Sequence, residues 1–196
     1  MAMKKWALFY LFFSFILISN SIGQEKNLFN NNSLGVEFGA WKPNNLQNSK
    51  SPIKFKPSKE NLYIGALFLS PLKNSLYLRT TIGYYYYVEN SEDQKSIVLL
   101  PILFDIKYML VSGSKISPYV SYGIGTCIGH QNNSDGLNND KFGFSANLGT
   151  GFDFLISKHI ALGLEFRYHY LKFSKVFVFT DDYSGLKINL TLYYLF

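Results

Sequence analysis

A single cysteine, Cys127, stands in 196 residues, so neither an intrachain disulfide framework nor a paired-cysteine zinc site is available. Charge is scarce as well. Charged residues make up 16% of the chain, where a soluble domain of this size carries about 25%. Disorder does not explain the shortage, because 47% of the residues are hydrophobic and such a chain collapses. Long apolar runs are also missing. The longest, Ala7 to Ile18, is a dozen residues and falls short of the roughly 20 that a spanning helix needs. Alanine, the best helix former, is sparse, and no stretch after Gln24 has helical period. The formal charge of +6 loses two when Lys4 and Lys5 are set aside, and the remainder lacks an arginine-rich face, which argues against a nucleic-acid partner.

What the chain has in excess is aromatic residues, 18% of the total, with 15 tyrosines and 18 phenylalanines. Part of that load lies at the start. Lys4 and Lys5, the apolar run, and the polar stretch Ser19-Asn20-Ser21-Ile22-Gly23 read as a secretory signal over residues 1–23, with small residues at the two positions that a signal peptidase reads. Residues 24–196 are expected to form one domain outside the cytoplasm.

That domain alternates with period two in eight segments. They are Leu34 to Trp41, Asn61 to Ser70, Ser75 to Glu89, Ser96 to Leu110, Lys115 to Gly129, Lys141 to Leu155, Ile160 to Phe173 and Gly185 to Phe196. The sixth is the clearest: Phe142, Phe144, Ala146, Leu148, Phe152 and Phe154 share one face, opposite Gly143, Ser145, Asn147, Gly149, Gly151 and Asp153. Connections alternate between short (Pro71 to Asn74, Val111 to Ser114, Ser157 to His159) and long (Lys42 to Glu60, Asn90 to Lys95, His130 to Asp140, Ser174 to Ser184). The pattern predicts an all-β fold, an eight-stranded antiparallel up-and-down transmembrane β-barrel with turns at one end and loops at the other.

The two faces then decide which side is wet. A lipocalin turns its apolar face inward around a ligand, and Gly39-Ala40-Trp41 matches that family's G-x-W pattern. A membrane barrel turns its apolar face outward to lipid. Here the apolar face carries large Phe, Leu and Ile side chains, whereas the other holds glycine, serine and charge, so the outward reading is preferred. Trp41 is then expected as an interfacial aromatic. Glu37, Arg79, Asp105, Lys107, Asp153, Glu165, Arg167 and Lys187 all fall in the non-apolar phase, as they must if a basic residue facing mid-depth lipid costs ~2–4 kcal/mol. Acids and bases among them are equal in number, which predicts an interior charge network that closes the lumen. Tyr84, Tyr86, Tyr168 and Tyr170 are expected at the outer interface, and Tyr108, Tyr194 and Phe196 at the inner one.

The outward phase runs through Ile188, Leu190, Leu192 and Tyr194 to Phe196. This resembles the carboxy-terminal signal of Gram-negative outer-membrane proteins, and the resemblance implies the barrel assembly machinery as a partner during biogenesis. Leu99-Leu100-Pro101-Ile102-Leu103-Phe104-Asp105-Ile106-Lys107-Tyr108, followed by Ser117-Pro118-Tyr119-Val120-Ser121-Tyr122-Gly123, resembles the middle hairpin of the PorT-like outer-membrane β-barrel family. Phe144 to Asp153 and Leu164-Glu165-Phe166-Arg167-Tyr168 fit its next hairpin. The resemblance implies an integral outer-membrane barrel, and some members of the family serve type IX secretion.

Three histidines are the candidate chemistry. His169 lies in the inward phase beside Glu165 and Arg167, His130 opens a long loop near Ser134 and Asp135, and His159 sits in a short turn. None of these forms a relay fixed by the scaffold. No HExxH, Walker or GxSxG pattern occurs, and no cofactor or metal is implied. Lys50, Lys54, Lys56 and Lys59 make the first loop basic, a candidate contact for the phosphates of lipopolysaccharide. The expectation is a monomeric, non-enzymatic protein of the Gram-negative outer membrane with a structural, adhesive or envelope-machine accessory role. Its partners are outer-membrane lipid and lipopolysaccharide, with an envelope protein whose identity the sequence does not give. Two alternatives stand beside it: a barrel enzyme acting on lipid A or phospholipid, and a secreted lipocalin-like ligand-binding barrel.

Overall fold

A computed structural model describes residues 32–44, 62–73, 75–88, 96–111, 114–132, 139–177 and 180–196. The period-two segments form strands β1 (Ser33–Pro43), β2 (Leu62–Lys73), β3 (Leu76–Val88), β4 (Ser96–Met109), β5 (Ile116–Asn132), β6 (Asn139–Leu155) and β7 (Ile160–Phe177), followed by a short β8 (Thr180–Asp182) and then β9 (Gly185–Leu195). All pairings are antiparallel. From β1 to β7 each strand pairs with the next, β7 pairs with β9, and β9 returns to β1 in register from Ser33↔Leu195 to Pro43↔Gly185. The sheet is thus a closed barrel of eight strands, and β8 lies on the flank of β7. Closure leaves no unpaired edge, the condition for a sheet to cross hydrocarbon.

The faces divide as the alternation predicts. Ile124, Phe142, Leu148 and Leu190 are 62%, 70%, 66% and 61% exposed on the outside, whereas Glu37, Arg79, Asp105 and Glu165 are completely buried. An apolar surface continuous over eight strands does not stay dispersed in water, and this inversion is the opposite of a lipocalin. Hydroxyls facing outward are tied to the backbone: Thr150 Oγ1 donates to the Tyr119 carbonyl at 2.9 Å and Thr126 Oγ1 to the Gly143 carbonyl at 3.1 Å. Tyr84, Tyr86, Tyr168 and Tyr170 are exposed toward the loop end, and Tyr108, Tyr194 and Phe196 toward the turn end. Three charges in the described strands β1, β6 and β7 depart from the inward rule, Lys42, Asp140 and Lys172, all at the loop end. Lys172 lies outward two residues beyond Tyr170 and pairs with Asp181 at 3.6 Å, which puts it past the tyrosine rim.

Three expectations need correction. Trp41 is not interfacial: it follows the phase of Glu37 and is fully buried in the lumen. Nor is the inward face merely small and charged. Tyr63, Tyr77, Tyr85, Tyr119, Tyr193, Phe173, Phe177 and Tyr183 also point inside, the last of them just before β9. Interior glycines make this packing fit. A Cβ on Gly83 would come within 2.1 Å of the Tyr63 hydroxyl, and one on Gly123 within 2.0 Å of an Asp105 carboxylate oxygen. The long connections after β5 and β7 are also shorter than expected. β7 runs on to Phe177 because its inward phase continues through Phe173 to Phe177. The chain then turns back through β8, and the Tyr183 hydroxyl donates to the Phe177 carbonyl. His130 accordingly sits in β5, paired with Asp140 of β6, rather than beside Ser134 and Asp135 in a loop. Residues 1–23 and the lysines of the first loop, Lys50, Lys54, Lys56 and Lys59, lie outside the described residues.

Candidate functional site

The lumen has three levels. Toward the loops, Trp41, Tyr63, Tyr85, Ile97, Leu99, Cys127, Leu171, Phe173, Phe177 and Tyr183 form one apolar cluster. Toward the turns, Leu67, Leu69, Tyr77, Met109, Tyr119, Ala161, Tyr193 and Leu195 form another. Between them lie the charges.

The register places those charges against one another before any side chain is considered. Arg79 of β3 stands opposite Asp105 of β4, Arg167 of β7 opposite Lys187 of β9, and Asp105 opposite Gly123 of β5. Arg79 Nε donates to Asp105 Oδ2 at 2.9 Å, and its two terminal nitrogens reach across the barrel to Glu165 at 3.2 and 3.0 Å. Glu165 also accepts from Arg167 Nη2 at 2.7 Å and from Ser121 Oγ at 2.8 Å. The other oxygen of Asp105 accepts from Asn147 Nδ2 at 2.7 Å. Lys107 pairs with Asp153 at 2.5 Å, reaches the Tyr193 hydroxyl at 3.1 Å and lies 3.8 Å from the Tyr119 ring centre. Lys187 donates to Glu37 at 3.2 Å over the Tyr63 ring. Each of the eight charged side chains therefore has an oppositely charged partner, and each is at most 1% exposed.

A wall made by β7, β9 and β1 is less complete. Arg167 Nε and Nη1, His169 Nδ1, both side-chain heteroatoms of Asn189, Trp41 Nε1, Glu37 Oε2 and Ser33 Oγ are buried without a hydrogen-bond partner in the protein. Each such atom, if dry, costs about 1–3 kcal/mol. Eight on one wall would rival the ~5–15 kcal/mol that holds a typical domain folded.

His169 has a partner that the sequence did not single out. Its Nε2 lies 2.8 Å from Ser145 Oγ on the neighbouring strand, and its ring packs 4.6 Å from that of Trp41. A hydroxyl beside an imidazole is the start of a nucleophilic relay. Here both residues are fully buried and no carboxylate holds Nδ1. His130 and Asp140 face solvent at the loop end, and His159 Nδ1 lies 3.2 Å from the Leu195 carbonyl at the other. The three histidines are thus spread over the height of the barrel. Among the described residues, no group of three or more His, Cys, Asp and Glu side chains is placed to hold a metal ion.

No protein-family model matches the sequence, and no curated protein matches it either. Solved structures do. The crystal structure of Neisserial surface protein A (NspA) matches with a TM-score of 0.63 at 12% identity, over 84% of this chain and 96% of that one. The outer membrane protein OprG from Pseudomonas aeruginosa matches at 0.58 and 14% identity, over 86% and 97%. The N-terminal β-barrel domain of Pseudomonas aeruginosa OprF matches at 0.52 and 14% identity, over 84% and 97%. At these identities the likeness is one of fold, and the fold is the eight-stranded barrel of outer-membrane proteins. A closed antiparallel barrel with an apolar outer surface and a polar, paired interior belongs in the outer membrane of a Gram-negative envelope.

Proposed function

We propose that this chain is a non-conducting, non-enzymatic outer-membrane barrel with a structural, adhesive or envelope-machine accessory role, its lumen closed by the ion-pair layer. The observation that carries the reading is the four-way contact of Arg79, Asp105, Glu165 and Arg167 across the barrel, with an apolar cluster above it and another below. Ion pairs that span the lumen and are shut off from water at both ends leave little room for a hydrated ion to pass. The absence of an enzymatic role is supported by the sealed position of Ser145 and His169 and by the separation of the three histidines. With nothing for the strands to transport or transform, activity falls to the loops and to the surface that meets other envelope components.

The resemblance to the PorT-like family supports an accessory role in type IX secretion as the narrower form of this reading. The outward row Ile188, Leu190, Leu192, Tyr194 and Phe196 fits recognition by the assembly machinery, and Lys50, Lys54, Lys56 and Lys59 fit contact with lipopolysaccharide phosphates. Planar-bilayer recording on the purified protein tests the closed lumen. The expected trace is flat at moderate voltage, and a stable open pore overturns the reading. Crosslinking in membranes, with identification of the captured envelope protein, tests the accessory role. Binding of lipopolysaccharide before and after replacing the four lysines with Gln tests the loop, and unchanged binding refutes that contact.

A further inference from the structure

We infer that the outer wall of the barrel holds one anionic glycerophospholipid of the inner leaflet, its acyl chain in a groove across β1–β3 and its phosphate at Lys158 and His159. A closed barrel is convex, so a groove on its outside needs a local cause. Here the cause is Ala66, smaller than the Ile64 and Phe68 that flank it on the outward face of β2. Register sets it between Val36 of β1 and Ile82 of β3, both larger outward side chains. The result is a groove of about 610 Å³ that reaches the sheet itself at Gly35 and extends sideways to Tyr194 of β9 and Ile160 of β7. That volume lies within the ~300–1,000 Å³ of small-molecule sites. From β7 to β3 there are four strand-to-strand steps of about 4.8 Å, or roughly 19 Å around the wall, a reach that suits one extended acyl chain better than a compact ligand.

Lipid already surrounds this face, so burial of apolar area gives no preference, a lipid tail being as apolar as leucine. Selection has to come from shape and from the headgroup. A second barrel presents a convex wall that would bridge the groove without filling it, and unfilled space forfeits dispersion contacts. A flexible chain enters it instead. The headgroup is read from the turn end, which faces the periplasm in barrels of this kind. Among the described residues that end exposes Lys73, Lys115, Lys158 and His159 and no acidic side chain, whereas the loop end exposes Asp140 and Asp181. Two of these basic groups border the groove. Lys158 and His159 directly precede Ile160, and the His159 ring stacks on that of Tyr194 at 6.2 Å. The Leu195 carbonyl takes up His159 Nδ1 at 3.2 Å, which leaves Nε2 to donate to a phosphate once the ring is protonated. Lys158 adds a point charge of the kind that binds phosphate.

The purified protein in a nonionic detergent is titrated with dioleoyl phosphatidylglycerol or with the phosphatidylethanolamine of the same chains, and read by native mass spectrometry. The expected result is a single phosphatidylglycerol retained per barrel, saturating, in clear preference to phosphatidylethanolamine and not displaced by glycerol 3-phosphate. Ala66→Phe should fill the groove and abolish retention, while Ala146→Phe, the same change on the outward face of β6, should leave it intact. Lys158→Gln should weaken retention about fivefold, the weight of one basic group at an anionic membrane surface. A phosphatidylglycerol with a diazirine in its acyl chain gives a readout on the unsubstituted protein, because photolabel should concentrate in β1 and β2. Label spread evenly over the strands overturns the proposal. So does equal retention of the two lipids, full displacement by glycerol 3-phosphate, or a dimer that Ala66→Phe dissociates, which would put a second copy in the groove.

Discussion

Glu165→Gln is the most informative single change, because that carboxylate accepts from Arg79 through two nitrogens, from Arg167 and from Ser121. Glutamine keeps the shape and one acceptor oxygen but removes the charge, leaving two buried guanidinium groups with Asp105 as their shared counter-ion. Breaking a buried pair from one side costs about 3–5 kcal/mol, a large part of the ~5–15 kcal/mol of a typical domain. With a urea dependence of about 2 kcal/mol per M, a loss of ~4 kcal/mol lowers the unfolding midpoint by about 2 M. The assay is urea unfolding in micelles, followed by Trp41 fluorescence and by the mobility difference between unheated and boiled samples. Lys158→Gln, in the exposed turn between β6 and β7, is the control and should stay within about 0.5 kcal/mol of the parent. Adding Arg167→Met to Glu165→Gln restores the balance of charge and should recover at least half of the lost stability, since a pair is missed less than one orphaned partner. A Glu165→Gln midpoint within about 0.5 M of the parent would refute the argument that this carboxylate is the hub of the layer.

The outer face is tested by Ile124→Arg, midway along β5. It should destabilise the barrel by ~2–4 kcal/mol in bilayers, whereas Tyr170→Arg, near the loop-end rim, should cost ~0–1 kcal/mol; equal costs would mean that the lipid band lies elsewhere. Gly83→Ala drives a methyl toward the Tyr63 hydroxyl and ring and should cost about 1–3 kcal/mol by overpacking, with Gly83→Ala/Tyr63→Phe recovering part of it; a neutral single variant refutes the contact. Cys127 is buried in the loop-end cluster, so a maleimide should label it only after unfolding, and rapid labelling of the folded barrel would show that this end is open.

How far the sequence reveals this molecule follows from what period two can and cannot encode. Alternation assigns a face to each residue, and in β6 or β7 it does so without ambiguity because the two phases differ in chemistry. The run Tyr84-Tyr85-Tyr86-Tyr87 has no such difference, so only the phase inherited from Arg79 and Thr81 reveals that Tyr85 is inside. The same holds for Trp41, whose bulk suggests an interface while its parity with Glu37 dictates the lumen. Pairings across the barrel are a different matter. Arg79 meets Glu165 86 residues away, a contact that depends on the register of four successive strand pairs and on the tilt of the closed sheet. Ser145 with His169, and Gly83 with Tyr63, need only the register of one neighbouring strand pair, each contact lying two residues off the direct partner. Equal numbers of acids and bases predict that a network can exist, but not which members touch.

The order of levels in the lumen explains why the charges can sit there at all. An ion pair in water is worth little, and the same pair in a dry interior is strong only if every remaining proton and lone pair is met. The turn-end cluster supplies part of that requirement with amphipathic side chains. Tyr193 meets Lys107 through its hydroxyl, and Tyr119 meets the same cation through its ring. The loop-end cluster instead places Trp41 and the Tyr63 ring against His169 and Lys187, with the indole N–H left over. The two ends therefore differ in chemistry as well as in position. Both sides still leave unpartnered polar atoms, Asp153 Oδ1 toward the turns and Trp41 Nε1 and His169 Nδ1 toward the loops.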